Sequence, residues 1–153
     1  MKKLALAIAL CLTFVASSAV AKKKGGVTMP DSKTIAGKKV VLNGMGIREA
    51  TVFNVDVYVA GLYLEKKSRA YKAIINSDQV KQVHLKFVRD VDRGDITKAW
   101  RESFRKNSGK NYKDIKAHVK KLNSWMSKIK EGNTLTFTVV PGKGTTVNVN
   151  GRD

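Results

Sequence analysis

The sequence predicts an α+β domain in which an antiparallel sheet is packed by helices on one face. Strand-forming segments lie in the first and last parts of the predicted domain, and two segments with helical periodicity lie between them. Segregated strands and helices are typical of this class, because a parallel sheet needs a long crossover connection after each strand. The length of 153 residues, 42% of them hydrophobic, suits a single domain with one core.

The N-terminal segment has the pattern of a secretory signal peptide. Lys2 and Lys3 precede an apolar run over residues 4–15, and small residues follow at 19–21. The apolar run is shorter than the roughly 20 residues that a membrane-spanning helix needs, which favours cleavage over anchoring. We therefore predict a signal peptide over residues 1–21, cleavage near Ala21, and a periplasmic or secreted protein.

The first strands are predicted after a short leader. Residues 22–33 show no hydrophobic period and contain three lysines, so they are interpreted as a flexible basic leader. Residues 39–43 and 51–65 are rich in β-branched and aromatic residues and predict two strands, with Gly44 and Gly46 forming the turn between them. The second strand has apolar residues on both faces and is expected to be central.

Three further strands follow the same reasoning. Residues 81–88 alternate strictly between apolar and polar side chains, which predicts a strand with one exposed face. Residues 134–140 and 145–149 are rich in β-branched residues and are separated by a Pro-Gly-Lys-Gly turn at 141–144, which predicts a hairpin.

Two helices are predicted between these strands. In residues 95–106, Ile96, Ala99, Trp100 and Phe104 recur at three- and four-residue spacing. A second apolar stripe runs through residues 112–129, and Gly132 is expected to end that helix. Its members are Ile115, Val119, Leu122, Trp125, Met126 and Ile129.

The composition excludes several kinds of chemistry. The chain has one cysteine, Cys11, and two histidines, so an intramolecular disulfide framework, a zinc module and a CxxC redox site are excluded. No metal or other cofactor is therefore expected. His84 lies on the polar face of its predicted strand and His118 lies among lysines, so both histidines are expected to be solvated.

The charge is strongly positive. Lys and Arg number 30 against 12 Asp and Glu, for a formal charge of +18. An anionic membrane surface is a candidate partner, because each lysine near such a surface contributes about 1 kcal/mol. Nucleic acid is not expected as a partner, since the aromatic residues follow apolar stripes rather than basic patches. The oligomeric state is not predicted.

Two motifs carry a family resemblance. Residues 42–48 (LNGMGIR) and 57–65 (VYVAGLYLE) resemble the chalcone isomerase-like family, most closely its bacterial secreted branch. The resemblance runs from about Met29 to Phe104 and implies an open-faced β-sandwich, with a curved antiparallel sheet, helices on one face and a pocket between them. The domain is expected over residues 34–153, and the resemblance implies that it is without the C-terminal helix that usually ends members of this branch.

The resemblance also implies a division between enzymes and binding proteins. In the enzymes an arginine, a threonine, a tyrosine and an asparagine act on a chalcone. Arg48 matches the arginine, but Tyr58, Thr97 and Phe104 fall near the other three positions, so three of the four polar roles are altered. Since oxyanion stabilisation depends on precisely placed donors, chalcone cyclisation is not expected.

The remaining pair suits a ligand with an acidic head. Fatty-acid-binding relatives use an arginine and a tyrosine of this strand region, which the resemblance places at Arg48 and Tyr58. Arg48 offers a planar fork of donors and Tyr58 a hydroxyl, so together they are expected to hold a carboxylate at the mouth of an apolar slot. The candidate lining of that slot is Val57 or Val59, Leu62, Trp100 and Phe104, with Trp125 as a further candidate, and Thr97 is included among the ligand-binding residues.

Two other functions stay open at this point. One is an isomerase or lyase acting on a non-flavonoid substrate, with Arg48 as the electrophile and Tyr58 as the proton donor. The other is a structural or interaction protein of the cell envelope that works through its basic surface. Tyr58, Trp100 and Phe104 also have a plain interpretation as core residues.

Overall fold

The structure, a computed structural model, describes residues 21–50 and 55–152. The predicted signal peptide lies outside the described residues, except for Ala21. Six strands form one antiparallel sheet in which neighbours in the chain are neighbours in the sheet. These strands are β3 (Ser32–Ile35), β4 (Lys38–Ala50), β5 (Val55–Leu64), β6 (Lys81–Phe87), β7 (Thr134–Val140) and β8 (Gly144–Val149).

The other elements lie in the connections of this meander and before it. A separate hairpin, β1 (Ala21–Lys24) and β2 (Val27–Pro30), precedes the sheet. Helix α1 (Tyr71–Asn76) connects β5 to β6, and α2 (Arg93–Ser108) and α3 (Tyr112–Trp125) connect β6 to β7. The prediction of an antiparallel sheet packed by helices on one face is confirmed. The described part of the chain has no helix that is both long and apolar enough to cross a bilayer.

The two faces of the sheet are covered by different layers. On the helix face, Leu85, Phe87 and Leu135 pack against buried residues of α2 and α3. On the hairpin face, Val59 and Tyr63 of β5 form a second cluster with Met29 of β2. Strand β5 lies between β4 and β6 and contributes to both clusters, so the prediction that it is central and covered on both sides is confirmed.

The predicted glycine turn at Gly44 and Gly46 is wrong. Strand β4 runs through both glycines to Ala50, and neither glycine has a positive φ. The register against β5 shifts between Leu42 and Gly44, so Asn43 is an extra residue that bulges from the ladder. The turn is predicted from the two glycines alone, whereas the structure accommodates both glycines within one strand that continues past the bulge.

The predicted flexible leader over residues 22–33 also differs from the structure, which has a hairpin and the start of β3 there. Met29 is 1% exposed and packs against β4 and β5. The hydroxyl of Tyr63 donates to the Pro30 carbonyl at 3.0 Å, and the turn at Gly25 and Gly26 has positive φ at both positions. A four-residue strand with one buried side chain is too short to show a hydrophobic period in the sequence.

The second long helix is shorter than predicted. Helix α3 ends at Trp125 instead of Ile129, yet Met126 and Ile129 are both 3% exposed. Ile129 pairs through its backbone with Val91, with N–H to carbonyl distances of 2.8 and 2.9 Å in the two directions. The apolar stripe therefore continues into extended chain, because tertiary packing uses the same side chains without the helix.

The expectation that His84 is solvated is wrong. It lies on the hairpin face, partly buried, with its Nδ1 atom 3.1 Å from the Thr136 hydroxyl. Lys33 lies nearby, with its ammonium group 3.8 Å from the centre of the Tyr63 ring. Burial, together with the charges of Lys33 and Lys86, lowers the pKa of His84 to about 4. His118 is exposed, as expected.

Substituting Gly61 is expected to destabilise the packing of the N-terminal hairpin. A Cβ atom at this position would lie 2.4 Å from Sδ of the buried Met29 and 3.2 Å from Cδ1 of Leu42. Gly61→Ala should therefore lower the free energy of unfolding by about 1–3 kcal/mol in urea titrations. Gly46→Ala is the matched control, because no atom of the part of the chain that the structure describes lies within 4 Å of its added Cβ. Equal effects of the two substitutions would contradict this account.

The pKa of His84 predicts a pH dependence of stability. The folded state holds His84 neutral down to about pH 4, whereas the ordinary pKa is 6.5. Between these two values the unfolded state binds more protons, so the free energy of unfolding decreases as the pH is lowered. We expect a loss of about 1 kcal/mol, since His84 is only partly shielded from water. Urea titrations at pH 7 and pH 4.5 should show a smaller loss in His84→Gln than in the wild type, and an identical loss would refute the assignment.

Candidate functional site

The candidate site begins at a pair of residues that face each other across β4 and β5. Arg48 lies directly opposite Tyr58 in the register, so the two side chains share one face of the sheet. Tyr58 in turn lies opposite Phe87 of β6, and the two rings meet edge to face with centroids 5.4 Å apart. Because Phe87 belongs to the cluster under the helices, Arg48 and Tyr58 are on the helix face.

The next positions on this face form an open apolar strip. Gly46 lies opposite Ala60 and Gly44 lies opposite Leu62. We call these four residues the glycine strip. No atom of residues 21–50 and 55–152 lies within 4 Å of the Cβ that could be built on either glycine, so the space above β4 is open among these residues. Val83, opposite Leu62 on β6, is 37% exposed and extends the apolar surface.

Arg48 and Tyr58 differ in their surroundings. The Arg48 side chain is exposed, and its guanidinium donates to the neighbouring backbone carbonyl of Glu49. Tyr58 is partly buried against the helix-face cluster. Burial raises the pKa of the Tyr58 hydroxyl, and the positive charge of Arg48 opposes that rise. The hydroxyl is therefore neutral at physiological pH and available as a hydrogen-bond donor.

Two predicted lining residues lie on the sheet-facing side of α2. Trp100 packs edge to face on Phe137 of β7, with ring centroids 5.8 Å apart, and Phe104 is partly buried in the same cluster. Phe137 lies in the cross-strand row that contains Gly44, Leu62 and Val83. The Trp100 indole N–H is buried and has no acceptor among the described residues. In folded proteins a buried donor of this kind normally has a partner.

Other predicted residues have different positions. Thr97 is 7% exposed, and its hydroxyl donates within α2 to the carbonyl of Arg93 at 2.9 Å, so that proton is already used. Val59 is fully buried on the hairpin face and cannot line a slot under the helices. Val57 packs on the helix-face cluster, and Leu62 belongs to the glycine strip. Trp125 is 49% exposed at the end of α3.

The residues missed by the sequence analysis are the two glycines. The sequence predicts a turn at these glycines, whereas in the structure they form the part of the sheet surface without side chains beside Ala60 and Leu62. A signal was present in the sequence. Two glycines at positions i and i+2 of a strand lie on the same face, and that part of the face then has no side chains.

These features define a class of protein: a curved antiparallel sheet backed by helices, with an arginine and a tyrosine at one end of an apolar strip. The sequence model of the chalcone isomerase-like family matches residues 21–153, and the chain belongs to that family. The membership predicted from residues 42–48 and 57–65 is thereby confirmed. No curated protein matches the chain by sequence.

Solved structures give a matching fold. The chain is similar to the crystal structure of a fatty-acid binding protein from Arabidopsis thaliana, with a TM-score of 0.71 and 20% sequence identity. The similarity covers 87% of this chain and 78% of that protein. At this level of identity the likeness establishes the fold, and the chemistry of the site must be argued from the residues of this chain.

Proposed function

We propose that this protein is an exported, non-catalytic member of its family that binds a fatty acid or another apolar carboxylate. The observation that carries the proposal is the position of Arg48 and Tyr58, opposite each other at one end of the glycine strip. A cation beside a hydroxyl donor suits a carboxylate, and the open apolar surface next to them suits a hydrocarbon chain.

The geometry gives the ligand a direction. The carboxylate would accept from the Arg48 guanidinium and the Tyr58 hydroxyl, and the chain would extend over Gly46 and Gly44. Arg48 is four residue steps along the strand from Gly44, which is a distance of roughly 13 Å. The apolar side chains of Ala60, Leu62 and Val83 border this path, and Trp100 and Phe104 lie on the helix that packs on the same face. The structurally similar plant protein binds fatty acids, which supports the same ligand class here.

The enzyme alternative is less well supported. An isomerase or lyase using Tyr58 as proton donor needs a hydroxyl whose pKa lies near the working pH. Burial instead raises the pKa of Tyr58, which makes the hydroxyl a weaker acid. Thr97, a candidate for a second polar role, uses its hydroxyl inside its own helix. The site therefore offers hydrogen bonds to a bound anion more readily than a proton to a reacting carbon.

The envelope alternative has one specific observation in its favour. A groove of about 530 Å³ lies between α2 and α3, and four of its lining residues, Arg101, Lys113, Lys116 and Lys120, are cationic. Together with export to the periplasm or medium, which we propose from the N-terminal sequence, this groove is compatible with contact to an anionic surface. It does not explain the Arg48 and Tyr58 pair, which is why ligand binding is the leading proposal.

Replacing the arginine should weaken binding of the acid specifically. Arg48→Gln removes the charge and the guanidinium fork, so the affinity for palmitate should fall about 10- to 100-fold, as for other charged hydrogen bonds. Isothermal titration calorimetry or native mass spectrometry would measure this loss. Hexadecanol, which has the same chain without the carboxylate, is the matched ligand and should lose much less affinity. Unchanged palmitate binding in Arg48→Gln would overturn the proposed function.

Filling the strip should weaken binding of the chain. Gly46→Leu places a side chain in the open space next to Arg48, so both palmitate and hexadecanol should bind at least tenfold more weakly, while the urea midpoint stays close to that of the wild type. Thr146→Leu on β8 is the control, because Thr146 is exposed. It pairs with Thr138, and both side chains lie on the hairpin face, away from the glycine strip. If Gly46→Leu bound both ligands normally, the hydrocarbon chain would have to lie elsewhere.

A further inference from the structure

The connection between β5 and β6 carries an apolar pair on its surface. Tyr71 is 67% exposed and Ile75 is 69% exposed, the two highest values among the exposed large hydrophobic residues of the described chain. They are four residues apart in α1, so they lie on the same side of that helix. Exposed apolar side chains that cluster in this way mark contact surfaces more often than single ones do.

The same connection, residues 65–80, has four cationic residues and two acidic ones, Glu65 and Asp78, and the cations are concentrated in its first half. Residues 66–76 contain Lys66, Lys67, Arg69 and Lys72 and no acidic residue. Glu65, just before this segment, accepts a hydrogen bond from the Val80 N–H at 2.7 Å. The three salt bridges found among the described residues join Asp90 or Asp92 to Lys128 or Lys130 and involve none of the four cations. Their charge is therefore available to an outside partner.

The segment is held rigidly to the sheet. The side chain of Asn43 donates to the Ser68 carbonyl at 3.0 Å and accepts from the Ser68 N–H at 2.9 Å. At the other end of α1, the Lys81 ammonium donates to the carbonyls of Ile74, Ile75 and Ser77 at 2.9–3.0 Å. Tyr71 and Ile75 are thus displayed by an anchored helix, and their exposure is a fixed feature of the surface.

We propose that α1 docks on an anionic lipid bilayer, with Tyr71 and Ile75 entering the interface and Lys66, Lys67, Arg69 and Lys72 facing the headgroups. Tyrosine suits the headgroup level because its ring is apolar and its hydroxyl stays wet, and a basic rim complements anionic lipid. A protein partner fits less well, since a helix of six residues cannot supply the roughly 800 Å² per side of a stable interface. The docking is independent of the proposed ligand.

Vesicle sedimentation tests the proposal with the chain from Lys22 onward, because the apolar run of the predicted signal peptide would itself bind vesicles. Binding to vesicles of phosphatidylglycerol and phosphatidylcholine in a 3:7 ratio should exceed binding to phosphatidylcholine alone and should fall in 0.5 M NaCl. Tyr71→Ser/Ile75→Ser should lower the partition coefficient at least tenfold. Trp125→Ser removes another exposed aromatic residue and is the matched control, which should change partitioning less than twofold.

A matched pair of charge variants separates local docking from net charge. Lys67→Gln/Lys72→Gln and Lys113→Gln/Lys116→Gln remove the same charge, but only the first pair lies beside α1. At about fivefold for each lysine near the bilayer, the first variant should bind about 25-fold more weakly and the second nearly as well as the wild type. Equal losses would overturn the proposal, because binding would then follow net charge alone.

A local probe reports insertion directly. The chain from Lys22 onward contains no cysteine, so an environment-sensitive thiol dye can be placed at Tyr71→Cys or, as the control, at the exposed Thr145→Cys on β8. Anionic vesicles should shift the emission to the blue at position 71 and leave position 145 unchanged. The same result at both positions, no shift at position 71, or self-association in gel filtration that requires Tyr71 and Ile75 would each refute bilayer docking. Arg48→Gln should bind vesicles normally, so failure of ligand binding stays distinguishable.

Discussion

The register of β4 against β5 after Asn43 determines which residues reach the helix face. Before the bulge, Val40 and Leu42 point to the hairpin face, and after it Met45 and Ile47 do. One extra residue therefore reverses the alternation and turns Gly44, Gly46 and Arg48 toward the helices. Without it, Arg48 would lie on the hairpin side, away from the open strip.

Much of the fold follows from period and composition, while the site depends on this local irregularity. The two long helices and the last three strands are visible in the sequence because each repeats its pattern for six or more residues. A bulge leaves no such repeat, and glycines in a β-rich segment predict a turn as readily as a strand without side chains on one face. The hairpin was missed for a similar reason, since Met29 alone carries its burial. Arg48 and Tyr58 could be named from the family motif, but their shared face follows from the register alone.

The glycines of β4 and β5 show how the two faces divide their roles. Gly61 faces the hairpin, and the space that it leaves is filled by Met29 and Leu42. Gly44 and Gly46 face the helices, and no described residue fills the space that they leave. The same residue type thus permits close packing on one face and an uncovered apolar surface on the other. A protein that binds an apolar chain needs both, because the packed face supplies the stability that an open face gives up.

The bulged residue, Asn43, affects both ends of the glycine strip. The backbone of Asn43 sets the register that brings Arg48 opposite Tyr58, while its side chain holds Ser68 and with it the segment that leads into α1. Tyr58 lies six residues before the end of β5 at Leu64, so the polar end of the proposed ligand site is roughly 20 Å from the point where β5 runs into the basic connection. With the carboxylate held at Arg48, the hydrocarbon end points toward Leu62 and the α1 end of the sheet. The hydrocarbon end of the proposed ligand and the proposed docking helix therefore lie at the same end of the sheet, although they rest on different residues.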